Sequence, residues 1–132
     1  MVPLEVTHTA LVTADIISAL DAMNTPFAKS VVALLGFFRD SYRTVFDFVD
    51  PPLHDPCAVA YVINPSLFKT KEMHVDIVTG DSMCAGRTAC DVHGVLRKPV
   101  NATVALAIDV PQFWKLMLAA VSEANTVSPM NR

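Results

Sequence analysis

The clearest candidates for chemistry in this chain are a histidine and an aspartate that stand side by side, His54 and Asp55, directly before Pro56. The apolar run CAVAYVI follows them. An Asp-Pro pair before such a run is typical of a helix start, where the carboxylate caps free backbone amides and complements the helix dipole. This interpretation explains Asp55 but leaves His54 without a role, as is common for a lone histidine in a loop.

A second interpretation places both side chains in a ligand cleft at the end of a layer of strands. A histidine titrates near neutral pH and can protonate a leaving group. A carboxylate provides the oxygen ligands that a hard cation such as calcium prefers. The residues alone therefore leave two hypotheses open: a helix cap with an unassigned loop histidine, or a proton donor beside a metal ligand.

Helical periodicity predicts the elements around this pair. A helix is expected from Asp15, and a longer one from Pro26 with Thr25 as its N-cap. The proline pair Pro51-Pro52 ends that unit, and a third helix is expected from about Pro56 to Ile63. The long helix carries apolar residues at helical spacing, which predicts one buried face made of Phe27, Val31, Leu34, Leu35, Phe38, Tyr42 and Val45.

The rest of the chain has a different period. Alternation predicts a strand near residues 73–77. Strands are also expected near residues 2–7, which are short and apolar-rich, near 87–92 and near 103–109. The last of these, TVALAID, is apolar on both faces and suits a strand covered on both sides. A final helix is expected from Pro111, followed by a polar and frayed tail from Asn125. This order of elements predicts an α/β fold with helices on both faces of a sheet.

Composition excludes several classes of partner. The net charge is −3 with no basic run, which argues against nucleic acid. The longest apolar stretch, Val31 to Phe38, is far shorter than the roughly 20 residues of a membrane span. The start of the chain lacks the pattern of a secretory signal. Three cysteines without a CxxC motif indicate reduced thiols and predict a cytoplasmic protein.

Apolar residues make up 52% of the chain and charged residues only 17%, below the usual quarter. A domain with so few charges is expected to hide apolar surface against something else. That covering structure would be an oligomer partner or a missing part of the same fold.

The segment HDPCAVAYVINPSLF, from His54 to Phe68, resembles the C-terminal His-Asp signature of the inosine–uridine-preferring nucleoside hydrolases. Two further segments, LEVTHTALVT and VHGVLRKPVNATVALAIDVPQFWKLMLAAV, are similar to other parts of the same C-terminal portion. The resemblance implies a mixed, mainly parallel sheet with helices on both faces. It makes residues 1–124 the C-terminal portion of the hydrolase domain and residues 125–132 a polar tail.

The resemblance also implies a function. Members of this family are metal-dependent enzymes that hydrolyse the N-glycosidic bond of ribonucleosides to ribose and a free base. His54 matches the histidine that protonates the departing base, and Asp55 matches a carboxylate ligand of the catalytic calcium. Phe38 and Tyr42 stand where some members carry two tyrosines beside the base. Their spacing on one helix face fits core packing equally well.

The departure from the family pattern is large. The aspartate-rich DxDxGxDD motif, which holds most of the calcium ligands, has no counterpart here, and neither does the central ribose-binding segment. Calcium takes 6–8 oxygen ligands, of which Asp55 provides one or two. We therefore expect a truncated chain with an incomplete calcium site, inactive alone towards its ribonucleoside substrate. The alternative is a non-catalytic interaction module. Expected partners are further copies of the chain or a full-length homologue.

Overall fold

Five α-helices and four short strands make up the chain, and the computed structural model describes all of its residues, 1–132. Single turns of 3₁₀-helix follow α4 and α5, at Pro65–Leu67 and Pro129–Asn131. The elements are α1 (Leu4–Thr7), α2 (Ala14–Asp21), α3 (Pro26–Phe46), α4 (Asp55–Ile63), β1 (Phe68–Met73), β2 (Val75–Ile77), β3 (Thr88–Cys90), β4 (Ala102–Ile108) and α5 (Val110–Val127).

Capping residues fix where the long helices begin. The Thr25 hydroxyl accepts a hydrogen bond from the Ala28 amide at 3.2 Å, which confirms Thr25 as the N-cap of α3. The Asp109 carboxylate caps α5 in the same way, accepting from the Gln112 amide at 3.1 Å. At the other end of α3, Asp47 adopts a left-handed conformation with φ 59°, which stops the helix.

The strand expected over residues 2–7 is wrong, because α1 occupies that segment. Only Met1 behaves as a strand residue: its nitrogen donates to the Thr103 carbonyl at 2.7 Å, and its carbonyl accepts from the Ala105 amide at 2.9 Å. Pro3 has no N–H to continue such a ladder, and it stands at the N-cap of α1 instead.

Both strand pairs are antiparallel. β1 pairs with β4 from Phe68↔Ile108 to Met73↔Ala102, with a bulge after Lys69, and β2 pairs with β3 in a separate two-stranded sheet. The α/β class is therefore confirmed, whereas a mainly parallel sheet is not. The two hydrogen bonds of Met1 to the residues flanking Val104 follow a parallel pattern, and they are confined to that one residue.

The core lies where α1, α4 and α5 meet β1 and β4. Phe113 is completely buried, and Trp114 packs edge-on against it with ring centroids 5.4 Å apart. Val104 and Ala105 point to opposite faces of β4 and both are buried, so the middle of that strand is covered on both sides as expected. Leu106, the next residue, is half exposed.

The buried face predicted for α3 is confirmed only in part. Ala28 is its only fully buried residue, Phe27, Val31, Leu35 and Tyr42 are partly buried, and Leu34, Phe38 and Val45 are exposed. The other helices therefore cover one part of the apolar stripe and leave the rest open. No helix is long and apolar enough to cross a lipid bilayer.

The end of the chain is packed rather than frayed. Helix α5 continues to Val127, and the Asn131 side-chain amide donates to the Asn125 carbonyl at 2.6 Å. The Asn131 side-chain oxygen accepts from the Phe27 amide at 3.0 Å. The Asn131 side chain therefore satisfies one backbone group at the start of α3 and one in α5. Polarity in the sequence does not distinguish this use from solvent exposure.

A polar cluster attaches the β2–β3 hairpin to the loop before β4. Lys98 Nζ donates to Asp76 Oδ2 at 2.6 Å, and His74 Nε2 lies 3.0 Å from Asp76 Oδ1. His74 Nδ1 lies 2.7 Å from the Pro99 carbonyl oxygen. The hydrogen bonds from Lys98, and then from His74, lower the pKa of the Asp76 carboxyl below its ordinary value of 3.8.

The stabilisation that this cluster gives should depend on acid pH. Because the folded-state pKa of Asp76 is lowered, its contribution is complete above pH 3.8 and is lost as the pH falls through the lowered value. Carboxyl-carbon NMR should place the Asp76 titration below 3.8, and amide exchange in β2 should accelerate over the same range. Asp76→Asn should remove this acid step while Asp81→Asn keeps it. A titration at or above 3.8 would contradict this cause.

The first turn of α4 contains a protected thiol. Cys57 is completely buried, its Sγ donates to the Leu53 carbonyl at 3.0 Å, and burial raises its pKa to about 11. All three cysteines are free thiols, and Cys84 and Cys90 are partly exposed.

Alkylation should therefore distinguish the thiol of Cys57 from those of Cys84 and Cys90. Iodoacetamide at about pH 8 should modify Cys84 and Cys90 in the native chain and spare Cys57, because the thiolate is the reactive species. In denaturant all three should react, as read by peptide mass spectrometry. Labelling of native Cys57 at the rate of Cys84 would show that the first turn of α4 opens readily.

Candidate functional site

The loop of residues 51–53 sets the position of His54. Pro51 and Pro52 are buried, and they end the segment that follows α3. The Pro51 carbonyl accepts from the Val12 amide at 2.9 Å, and the Leu53 amide donates to the Ala10 carbonyl at 3.0 Å. These bonds pair the loop with residues 10–12 on both sides of Pro52, which itself bridges to Leu11. The position of His54 is therefore set by the segment that follows α1.

Hydrogen bonds hold both ring nitrogens of His54. Nδ1 lies 2.8 Å from Thr7 Oγ1, and Nε2 lies 2.7 Å from the Tyr42 hydroxyl. The Thr7 hydroxyl donates to the Leu4 carbonyl at 3.3 Å, so its oxygen is left to accept from Nδ1–H. In the neutral ring Nε2 then accepts from the Tyr42 O–H. The chain thus fixes both the orientation and the tautomer of His54.

Two aromatic rings pack against His54. Tyr42 stacks on it with ring centroids 5.9 Å apart, and the His8 ring meets it edge-on at 5.5 Å. Phe48 packs against both neighbours, at 5.2 Å from His8 and 6.1 Å from Tyr42. Partial burial lowers the pKa of His54, the charge of His8 lowers it further, and the adjacent Asp55 opposes them.

An open cavity of about 360 Å³ adjoins this cluster. All four residues singled out from the sequence line it: Phe38, Tyr42, His54 and Asp55. Its other walls are apolar or prolines, namely Val12, Leu35, Pro51, Pro52, Leu53 and Pro56. A mainly apolar pocket with a few polar groups at one end is the usual form of a small-molecule site.

The capping hypothesis for Asp55 is not supported by the geometry. Asp55 is the first residue of α4, His54 holds the N-cap position in a helical conformation, and no side-chain hydrogen bond caps the helix. The Asp55 carboxylate is exposed and takes part in none of the ion pairs. It is therefore free to bind something that the chain does not contain.

The residues present do not form a calcium site by themselves. No group of three or more His, Cys, Asp or Glu side chains is arranged to hold a metal ion. Calcium takes 6–8 oxygen ligands, and Asp55 is a single carboxylate on the cavity wall. This chain would provide one carboxylate ligand to a calcium ion, and the other ligands would have to come from outside these residues.

Three residues of the site, Thr7, His8 and Phe48, could not be predicted from the sequence. Thr7 is the last residue of a segment predicted to be a strand and His8 follows it, and nothing in their spacing links them to His54. The only available signal was the presence of a second titratable residue, His8, in a short apolar segment. The contacts of Thr7 and His8 with His54 span about a third of the chain, so they depend on the tertiary fold.

Comparisons with known proteins agree on one family. Residues 1–115 match the family described as inosine-uridine preferring nucleoside hydrolase. A "Probable ribonucleoside hydrolase" of Dictyostelium discoideum is 45% identical over 127 residues, 92% of this chain and 37% of that protein. A "Pyrimidine-specific ribonucleoside hydrolase" of Shewanella sp. strain MR-7 is 37% identical, over 92% of this chain and 39% of its own length.

A solved structure gives the same result for the fold. The "Purine-Preferring Ribonucleoside Hydrolase from Gardnerella vaginalis" superposes with a TM-score of 0.82 at 26% identity, over 97% of this chain and 40% of that one. The chain thus spans 37% and 39% of the two relatives named above and 40% of this structure. With a match over residues 1–115, the chain belongs to the inosine-uridine preferring nucleoside hydrolase family.

Proposed function

We propose that this chain forms the leaving-group side of a ribonucleoside hydrolase, an enzyme that converts a ribonucleoside and water into ribose and a free base. The observation that supports this most directly is His54, held by Tyr42 and Thr7 at the wall of a 360 Å³ cavity with Asp55 beside it. Family membership and the names of the relatives supply the reaction class.

The proposed role of His54 is to protonate the base as it leaves. When the bond between the sugar C1′ and the base nitrogen breaks, its electron pair stays on the base, and a proton delivered there lowers the barrier. General acids of this kind contribute about 10²–10⁴-fold in rate. The donating form is the imidazolium, which the neighbouring Asp55 carboxylate favours, and release of its Nε2 proton to the base leaves the neutral Nδ1–H tautomer that Thr7 holds. The contacts of Thr7 and Tyr42 orient the ring before substrate arrives.

Phe38 and Tyr42 are proposed to form the wall against which the base lies. Both line the cavity, and Phe38 is 45% exposed, so its ring has a free face. Stacking of a flat base on such a ring is favourable. The core-packing alternative accounts for Phe38 less well, because no element of the chain covers it.

Asp55 is proposed as one ligand of a calcium ion whose other ligands come from outside these residues. The groups that position ribose and activate water are likewise proposed to lie outside. Since residues that act as a unit lose most of their effect when separated, the chain alone should release ribose from inosine or uridine barely above the buffer rate. The proposed compartment is the cytoplasm.

The second candidate function is a non-catalytic interaction module derived from the same fold. The observation that favours it is the exposure of large apolar residues on α3 and α4, including Leu34, Phe37, Val59 and Val62. A measurement of activity distinguishes the two functions, because only the hydrolase requires His54.

A chimeric enzyme tests the catalytic proposal. This chain would replace the matching 37% of the Dictyostelium relative, so that the rest of the fold is covalently present. His54→Ala should lower kcat for inosine and uridine by about 10²–10⁴-fold. The loss should be much smaller for p-nitrophenyl riboside, because nitrophenolate departs without a proton. Ribose release and nitrophenolate absorbance are the measurements.

Two variants serve as controls in the same chimera. Tyr42→Phe keeps the ring and removes the hydroxyl bound to Nε2, so it should show the same substrate dependence in weaker form. His93→Ala removes a histidine that does not line the cavity and should leave both substrates unaffected. Equal losses of His54→Ala on all substrates would remove His54 from the acid role.

A further inference from the structure

We propose that Arg39 is a positioning residue of the site, which holds the second half of α3 against the loop of residues 51–53 and so maintains the contact between Tyr42 and His54. Arg39 does not line the cavity, so its effect on the reaction passes through residues that do. The inference rests on the proposed function for its kinetic test, whereas its structural test needs only this chain.

Arg39 lies on the side of α3 that forms the cavity wall. Leu35, Arg39 and Tyr42 follow the i, i+4, i+7 spacing of one helix face. Leu35 and Tyr42 line the cavity, and Arg39 stands between them, about one turn from each. A contact made by Arg39 therefore acts on the part of the helix that carries Tyr42.

The Arg39 guanidinium contacts both segments that position His54. Its Nη2 donates to the Val12 carbonyl at 3.3 Å and lies 3.6 Å from Asp50 Oδ1. The Val12 amide in turn donates to the Pro51 carbonyl at 2.9 Å, and Asp50 directly precedes Pro51. One side chain thus joins α3 to both sides of the pairing that leads to His54.

The hydrogen bond to Val12 is the stronger of these two contacts. The side chains of Arg39 and Asp50 are 33% and 28% exposed, and ion pairs that reach solvent contribute little. A hydrogen bond from a charged donor is stronger than a neutral one. Arg39 Nε is buried without a partner, so Nη2 alone fixes the guanidinium.

Few other contacts hold this half of the helix in place. Between residues 36 and 46, the side-chain hydrogen bonds to other parts of the chain are those of Arg39 and the one between Tyr42 and His54. Most large apolar side chains of this half are exposed, namely Phe37, Phe38, Val45 and Phe46. The position of the wall relative to His54 therefore depends on the two polar contacts, and each supports the other.

Loss of the guanidinium should affect the two ring nitrogens of His54 differently. The second half of α3 would move away from the loop, so Nε2 would lose the Tyr42 hydroxyl that lies 2.7 Å from it. The contact of Nδ1 with Thr7 does not involve α3 and should remain. A general loss of structure would weaken both contacts together.

NMR of this chain tests the geometry. Arg39→Met keeps the aliphatic stem and removes the guanidinium. It should weaken the nuclear Overhauser effects between the Tyr42 and His54 rings and leave those between Thr7 and His54 unchanged. Arg43→Met is the matched control, at an exposed arginine one turn further along α3 that takes part in none of the ion pairs, and it should change neither. Circular dichroism checks that each variant is folded.

The chimeric enzyme tests the effect on the reaction. Arg39→Met should lower kcat for inosine and uridine by about tenfold, because small displacements of an orienting group are costly. The loss should be much smaller for p-nitrophenyl riboside, as for Tyr42→Phe. In the Tyr42→Phe background, Arg39→Met should cost little more, since the contact through which it acts is already absent. Arg39→Lys keeps the cation without the planar fork and should recover part of the activity.

Several results would overturn the role of Arg39. Unchanged Tyr42–His54 effects in Arg39→Met would do so, as would equal losses on all substrates or losses that multiply with those of Tyr42→Phe. Should Arg39→Met fail to fold, Arg39→Lys undergoes the same measurements, and wild-type values for it would equally reject the proposal. A wild-type chimera that releases no ribose would reject the hydrolase function, and the NMR comparison would then decide the role of Arg39 by itself.

Discussion

The arrangement of the site depends on the pairing between the Pro51-Pro52 loop and residues 10–12. Two prolines have no amide hydrogens of their own, so this loop is tied by the Pro51 carbonyl and the Leu53 amide, to Val12 and Ala10 respectively. Ala10 and Val12 are buried in the core. The loop that precedes His54 is thereby fixed to buried core residues, and a shift of either segment of this pairing would separate His54 from Thr7.

Helix α4 lies between the buried core and the solvent-exposed side of the site. Its inner residues, Cys57 and Ala60, belong to the core cluster, and the thiol of Cys57 binds the carbonyl of Leu53 just ahead of His54. Its outer residues and Asp55 face solvent. One short helix therefore holds His54, the proposed proton donor, through its inner side and exposes Asp55 and an apolar surface on the other.

The rest of the molecule likewise has few buried residues and much exposed apolar surface. Only 18 of 132 residues are buried, and Leu34, Phe38 and Val45 of the apolar stripe on α3 are exposed. A small core with large uncovered apolar faces stabilises a chain weakly, because burial is the main favourable term in folding. The chain spans only 37% to 40% of its relatives. This partial coverage accounts for the exposed apolar faces.

The sequence by itself determined the helices that begin with clear caps, the α/β class, the family, and the grouping of Phe38, Tyr42, His54 and Asp55 as candidates. Caps, prolines and the His-Asp-Pro segment act locally, so their effects can be inferred from neighbouring residues. Only the tertiary structure decided that residues 4–7 form a helix, that part of the apolar stripe of α3 stays exposed, and that both strand pairs are antiparallel. It also decided that Thr7 and His8 contact His54, because those contacts join segments far apart in the chain, and no local pattern records which distant segment will lie alongside.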